Sequence, residues 1–110
     1  MSNTFKLKTK SSVGVTTVGI YTATSPVTAT VIIGITLANV TGTGINVGIG
    51  ITRSGADNIS LMKNVPIPQG SSLEFMQGNK IVLEATDTLT AVSDTNNSLD
   101  VALTIMEITP

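Results

Sequence analysis

The sequence predicts an all-β chain: a single antiparallel β-sandwich of the jelly-roll kind, with about eight or nine short strands. Three observations carry this expectation. Apolar residues alternate with small or hydroxylated ones, turn residues recur roughly every ten positions, and no stretch holds the spacing of a long amphipathic helix. At 110 residues the chain forms one domain, 1–110, large enough to bury roughly two-thirds of its unfolded surface without a metal or a disulfide.

The clearest alternation runs from Thr28 to Thr52, a stretch with no charged residue. Ala29, Val31, Ile33, Ile35 and Leu37 occupy the odd positions of one strand, with Thr28, Thr30, Gly34, Thr36 and Ala38 at even positions and Ile32 as the exception. After Thr41-Gly42-Thr43-Gly44, Ile45, Val47, Ile49 and Ile51 alternate with Asn46, Gly48, Gly50 and Thr52. Successive strand side chains point to opposite faces, so the odd positions are expected in the core. The two strands are expected to form a hairpin with one smooth, uncharged outer face.

The remaining elements follow from similar patterns. Residues 1–12 form an extended arm or edge strand, with Lys6, Lys8 and Lys10 set against Phe5 and Leu7; lysines on a terminal strand discourage edge-to-edge aggregation. This segment lacks the apolar stretch that a signal peptide needs. A strand from Val13 to Ala23 ends at Ser25-Pro26, because proline lacks the donor a central strand requires. Beyond the polar connection 53–58, a strand runs from Ile59 to Val65 and gives way to Pro66-Ile67-Pro68-Gln69-Gly70. Ser71 and Glu74 have the spacing of a capping box, yet Leu73 and Phe75 alternate and Gly78-Asn79 follows closely, so a short strand is preferred there to a helix. Lys80–Ala85, Thr88–Ser93 and Leu99–Ile108 complete the set, the last presenting Leu99, Val101, Leu103 and Ile105 on one face.

Composition argues against most chemistry. The chain has no cysteine and no histidine, which removes the thiol nucleophile, the commonest metal ligand and the side chain most used for proton transfer near neutral pH. No cofactor and no enzymatic activity are expected. Tryptophan is absent and aromatics make up 3% of residues, leaving only Tyr21, Phe5 and Phe75 for any stacking platform. A net charge of −1 gives no reason to bind nucleic acid, and no apolar run is long enough for a membrane-spanning helix. Charged residues account for 12% of the chain, about half the usual share.

Three apparent motifs fail on their own terms. Asp94 to Asp100 spaces oxygen side chains like the start of a calcium loop, but Leu99 stands where glycine is needed and Ile105 where a bidentate glutamate is needed. Ser60 and Lys63 have an acylation-site spacing without its helix or partner motifs. Asn39, Asn58 and Asn96 fit the glycosylation pattern, which is uninformative without a secretory signal.

The glycines say more. Gly34, Gly48 and Gly50 share the non-core phase, and glycine inside a strand calls for a bulge, a bend or the close approach of another backbone. Three accounts are open: curvature of a small sandwich, a second subunit packed flat on this face, or a ligand groove. On the second account the interface is Gly34, Thr36, Gly48, Gly50 and Thr52, where the missing charge suits an interface centre.

Tyr21-Thr22-Ala23, the Thr30–Asn39 strand, the run Leu61-Met62-Lys63-Asn64-Val65-Pro66-Ile67-Pro68-Gln69-Gly70-Ser71-Ser72-Leu73-Glu74, Lys80-Ile81-Val82-Leu83-Glu84 and Asp87-Thr88-Leu89 together resemble small β-sandwich virion proteins of tailed bacteriophages, notably those of cyanobacteria. The likeness covers most of the chain from Tyr21 onward and brings no catalytic residues. It implies a particle subunit on capsid, neck or tail, commonly homo-oligomeric, with a trimer favoured because decoration proteins commonly match capsid three-fold positions. The implied partners are other copies of itself and virion proteins such as the major capsid protein, and the implied location is the virion. The competing expectation is a receptor- or glycan-binding sandwich of a tail fibre or collar, against which the scarcity of aromatics counts.

Overall fold

A computed structural model describes residues 2–53, 57–75 and 80–110. Nine antiparallel strands are present among them: β1 (Ser2–Val13), β2 (Val18–Thr22), β3 (Ala29–Asn39), β4 (Ile45–Thr52), β5 (Ile59–Ile67), β6 (Ser72–Phe75), β7 (Ile81–Glu84), β8 (Thr88–Ser93) and β9 (Leu99–Thr109). The first sheet has the order β1-β9-β3, with β6 and β7 both on the far side of β3; the second has the order β2-β8-β4-β5. β6 pairs with Ile35–Ala38 and β7 with Ala29–Ile32, so the two short strands lie end to end in a single lane. Counted by lanes, each sheet is four strands wide, and the chain changes sheet at every connection except β4–β5 and β6–β7. That connectivity is a jelly roll, as the sequence pattern predicts.

The core lies between the sheets. β4 and β9 obey strict alternation: Ile45, Val47, Ile49 and Ile51 from one, and Leu99, Val101, Leu103 and Ile105 from the other, are all buried. β8 adds Leu89 and Ala91, and the β7 lane adds Leu83. β5 is an edge strand, which is why it tolerates Pro66 opposite Asn46 without a broken interior ladder. The segment proposed as either cap or strand is the strand β6.

Three expectations are corrected. The stretch 28–52 is not a hairpin: β3 and β4 belong to different sheets, and residues 40–44 carry the chain across the sandwich. Nor does β3 keep one phase. Thr30 and Ile32 are buried, Val31 and Ala29 are not, and after a bulge against β9 between Ile32 and Gly34 the buried set becomes Ile35, Leu37 and Asn39. The extra residue, Ile33, is only partly buried, and a single inserted residue exchanges the two faces of everything before it. Finally, Val13 closes β1 rather than opening β2; Gly14–Thr17 form the intervening turn, with the carbonyl of Gly14 accepting a hydrogen bond from Ser93 N–H at 2.9 Å and Val15 exposed.

The bulge makes a sharp prediction about stability. Ile35→Ala removes a fully buried side chain and is expected to cost about 2 to 5 kcal/mol in chemical denaturation, whereas Ile33→Ala is expected to cost about 1 kcal/mol or less. Equal costs at the two positions would contradict the phase change.

Candidate functional site

The most connected polar cluster lies inside the sandwich, at the end where β2 covers β9 and β3. Tyr21 reaches from the second sheet into the first, and its hydroxyl donates to Glu107 Oε2 at 2.6 Å. With that proton committed, the Thr30 hydroxyl donates to Tyr21 Oη at 2.8 Å. Lys6 closes the cluster from the edge strand, its Nζ standing 2.8 Å from Glu107 Oε1. Four strands therefore converge on one carboxylate: β1, β2, β3 and β9. Lys6, Lys8 and Lys10 lie opposite Ile105, Leu103 and Val101 and so point toward the inner side of the sheet; of the three, Lys6 is the one with a carboxylate waiting there.

Glu107 and Tyr21 are buried, each 8% exposed, and their titration is displaced in opposite directions. The hydrogen bonds from Lys6 and Tyr21 hold the Glu107 carboxyl below its ordinary 4.5, outweighing the opposing effect of burial. Burial, reinforced by the bond to Glu107, pushes the Tyr21 phenol up from 10.0 to about 12. These are the marks of a structural tie. The tyrosine holds its proton through the whole neutral range, and the carboxylate has no unmet hydrogen-bonding need with which to take a proton from a substrate.

Two further polar devices hold the sheets together. Arg53, just past β4, places Nε 3.2 Å from both oxygens of Asp87 and its Nη2 against Glu84, while Asp87 also accepts Glu84 N–H at 2.9 Å. Asn39 organises the crossing from β3 to β4: its amide donates to the carbonyls of Thr43 (2.8 Å) and Ile67 (3.0 Å), and its oxygen accepts from the Thr41 N–H (2.9 Å) and hydroxyl (2.8 Å). The acids of the calcium-like stretch act as turn acceptors. Asp94 takes Asn46 N–H at 3.1 Å and Asp100 takes Ser12 N–H at 3.0 Å. Among the described residues no group of three His, Cys, Asp or Glu is placed to hold a metal ion. Ser60 and Lys63 are exposed residues of β5.

The five residues expected to make one interface divide between two surfaces. Gly34 and Thr36 lie on the outer side of the first sheet, whereas Gly48, Gly50 and Thr52 lie on the outer side of the second, because β3 and β4 are in different sheets. Within the second sheet the glycines have a reason internal to the chain. β5 carries two bulges against β4 between Val65 and Ser60, which tip its backbone over the glycines. A Cβ on Gly50 would stand 2.8 Å from the Ile59 carbonyl oxygen, whereas one on Gly48 would meet the Val92 side chain of β8 at 3.3 Å and the Met62 carbonyl oxygen at 3.4 Å, close to ordinary contact. Gly34 has no such constraint; the nearest atom to its virtual Cβ is a Glu74 carboxylate oxygen at 3.9 Å. A groove of about 440 Å³ opens between the edges of β5 and β7, lined by Ile51, Ile59, Leu61, Ile81 and Val82 beside the Arg53 pairings. Its one cation is already matched by two carboxylates.

Sequence reasoning missed the Tyr21–Glu107 and Arg53–Asp87 contacts, which join residues 86 and 34 positions apart. The available signals were faint: a tyrosine among threonines in β2, and a glutamate at an inward odd position of β9.

The fold and its surfaces define a small jelly-roll sandwich with no catalytic cluster among the described residues. No protein-family model matches the sequence, and no curated protein matches it. Solved structures share the fold. A chain from Bacillus endospore appendages, described as disulfide-linked pili, is similar at TM-score 0.59 and 18% identity, covering 99% of this chain and 88% of that one. A chain from the acid-stable capsid of Helicobacter pylori bacteriophage KHP30 is similar at TM-score 0.57 and 9% identity, covering 98% and 89%. A third, from infectious bursal disease virus strain Gx, gives TM-score 0.56 and 13% identity over 96% of this chain and 33% of the other, so this chain spans one third of its length. At these identities the likeness is one of fold. Without cysteine, this chain cannot share the disulfide linkage named for the pili.

Three outcomes follow from these contacts. Glu107 takes up its proton at a lower pH in the folded chain than in the unfolded one, so its contribution to stability is complete at neutral pH and is lost as pH falls below about 4.5. Denaturation series should show wild type losing more stability on acidification than Glu107→Gln; parallel curves would refute the tie. Tyr21 is the only tyrosine and tryptophan is absent, so tyrosinate absorbance reports it alone. It should ionise near pH 12 in the folded protein, and ionisation near 10 with the fold intact would refute the buried contact. Of the glycines, Gly50→Ala should be clearly destabilising and Gly34→Ala nearly neutral in the same denaturation assay.

Proposed function

We propose that this chain is a non-enzymatic structural subunit of a virion, a decoration or cement protein of a tailed-phage particle that works through surface contacts with copies of itself and with the major capsid protein. The observation that carries this reading is the distribution of its polar groups. The buried charges are spent in ties between strands, and what faces outward is two broad sheet surfaces rather than a pocket of convergent functional groups. The same sandwich serves as the fold of a chain in a bacteriophage capsid, and the absence of histidine and cysteine removes the usual acid–base and nucleophilic groups. The receptor- or glycan-binding reading has less support, because its platform would have to come from few aromatics and Tyr21, the only tyrosine, is buried in a structural contact.

Gradient-purified particles from the source culture test this proposal by quantitative mass spectrometry. The expected result is co-sedimentation with the capsid in many copies per particle, with no retention of the purified chain on a glycan array. A few copies per particle combined with specific glycan retention would favour the fibre-tip reading and overturn this one.

A further inference from the structure

The outer surface of the first sheet carries an apolar row that the core does not account for. Phe5 lies opposite Met106, Met106 opposite Val31, and Val31 opposite Val82, so one line of side chains crosses all four lanes on the same face. Phe5 is 69% exposed, Val82 56%, and Leu7, on the next outward position of β1, 67%. Exposed apolar surface of this continuity marks an interaction site, and the row has an internal asymmetry: its β1–β9 half is large (Phe5, Met106) and its β3–β7 half is small (Val31, Val82).

The charges of this sheet divide between its two sides. On β1, Lys6, Lys8 and Lys10 point to the inner side, away from this face, and Lys6 is paired with Glu107. The opposite edge carries Glu74 and Glu84 with Lys80 between them in sequence; Glu84 meets Arg53. Glu74 is level with Thr36, Ala102 and Thr9.

We propose that two copies of this chain pack face to face through this surface, about a two-fold axis parallel to the strands and midway between β9 and β3. This axis lays the large half of each row on the small half of the other, Phe5 over Val82 and Met106 over Val31, each contact occurring twice as an isologous interface requires. It also sets Glu74 of each copy over Thr9 of the other. An in-plane axis perpendicular to the strands would instead set β1 on β1, large side chains against large, and Glu74 against Glu84. Sheets stack in this aligned manner at about 10 Å separation. The molecule measures 45 × 26 × 22 Å, so a broad side can supply about the 800 Å² per partner of a standard interface. Gly34 and Thr36 fall within this face, whereas Gly48, Gly50 and Thr52 lie on the other sheet. The inference holds whatever particle the chain belongs to.

The test is reciprocal. By light scattering after size exclusion and by sedimentation velocity, the wild-type chain should be a dimer, and Phe5→Glu and Val82→Arg should each raise the dissociation constant about tenfold or more. Mixed in equal amounts the two variants should form a heterodimer, because one copy's new glutamate then faces the other's new arginine while the second Phe5–Val82 contact stays intact. Ser60→Glu, on the second sheet, should leave the dissociation constant unchanged. A wild type that stays monomeric at submillimolar concentration, a single variant with wild-type affinity, a mixture that fails to pair, or a Ser60→Glu variant that dissociates would each overturn the proposal. Circular dichroism and denaturation establish that the variants fold. Should either fail, Phe5→Ser and Met106→Ser take their place, and an unchanged dissociation constant in both would be equally fatal.

Discussion

The crossing of the chain between β3 and β4 is the constraint on which the rest of the molecule depends. Had Thr41–Gly44 closed a hairpin, the aliphatic positions of both strands would have shared one sheet, and a second layer would have had to be found elsewhere. Because the chain crosses, β3 and β4 face each other through the core, and their outward residues end on opposite sides of the protein. Asn39 makes the crossing affordable in hydrogen-bond terms: all four of its bonds go to the turn and to the Ile67 carbonyl, so no buried amide is left unmet.

Once the sheets are separate, something beyond apolar burial must fix how they sit on each other. Tyr21 and Arg53 do this near the same end of the second sheet, one through Glu107 and Thr30, the other through Asp87 and Glu84. Both draw on groups that would be costly to bury alone and that find complete partners here. Charge is thereby concentrated at ties and edges, which leaves the outer faces with little of it. The faces differ in kind. That of the second sheet combines Thr, Asn and Gly with Val92 and is shaped by the folded-over edge strand β5, whereas that of the first presents a continuous apolar row.

Much of this was legible in the sequence, and the failures have definite causes. The strand set, β6 included, and the inward phase of β4 and β9 follow from alternation, which a half-buried strand cannot avoid. The phase of β3 was half legible: Ile32 breaks the odd–even rule, and an inserted residue at Ile33 is what such a break means, whereas Thr30 fits the rule and is buried all the same. The glycine at 50 does mark a close backbone approach, but sequence spacing cannot say whose backbone it is, and it proved to be that of β5. The pairing of Phe5 with Met106, Val31 and Val82 was not legible, because a surface patch across four strands exists only once the strand order is known.

The central claim is that the outer face of the β1-β9-β3 sheet is where this chain meets its neighbours in a structural assembly. Electron cryo-microscopy of the intact particle tests it most directly. The account predicts many copies at symmetry-related positions, with Phe5, Met106, Val31 and Val82 covered by another subunit. Copies whose row lies open to solvent, while the Gly48–Thr52 surface makes the contacts, would contradict it.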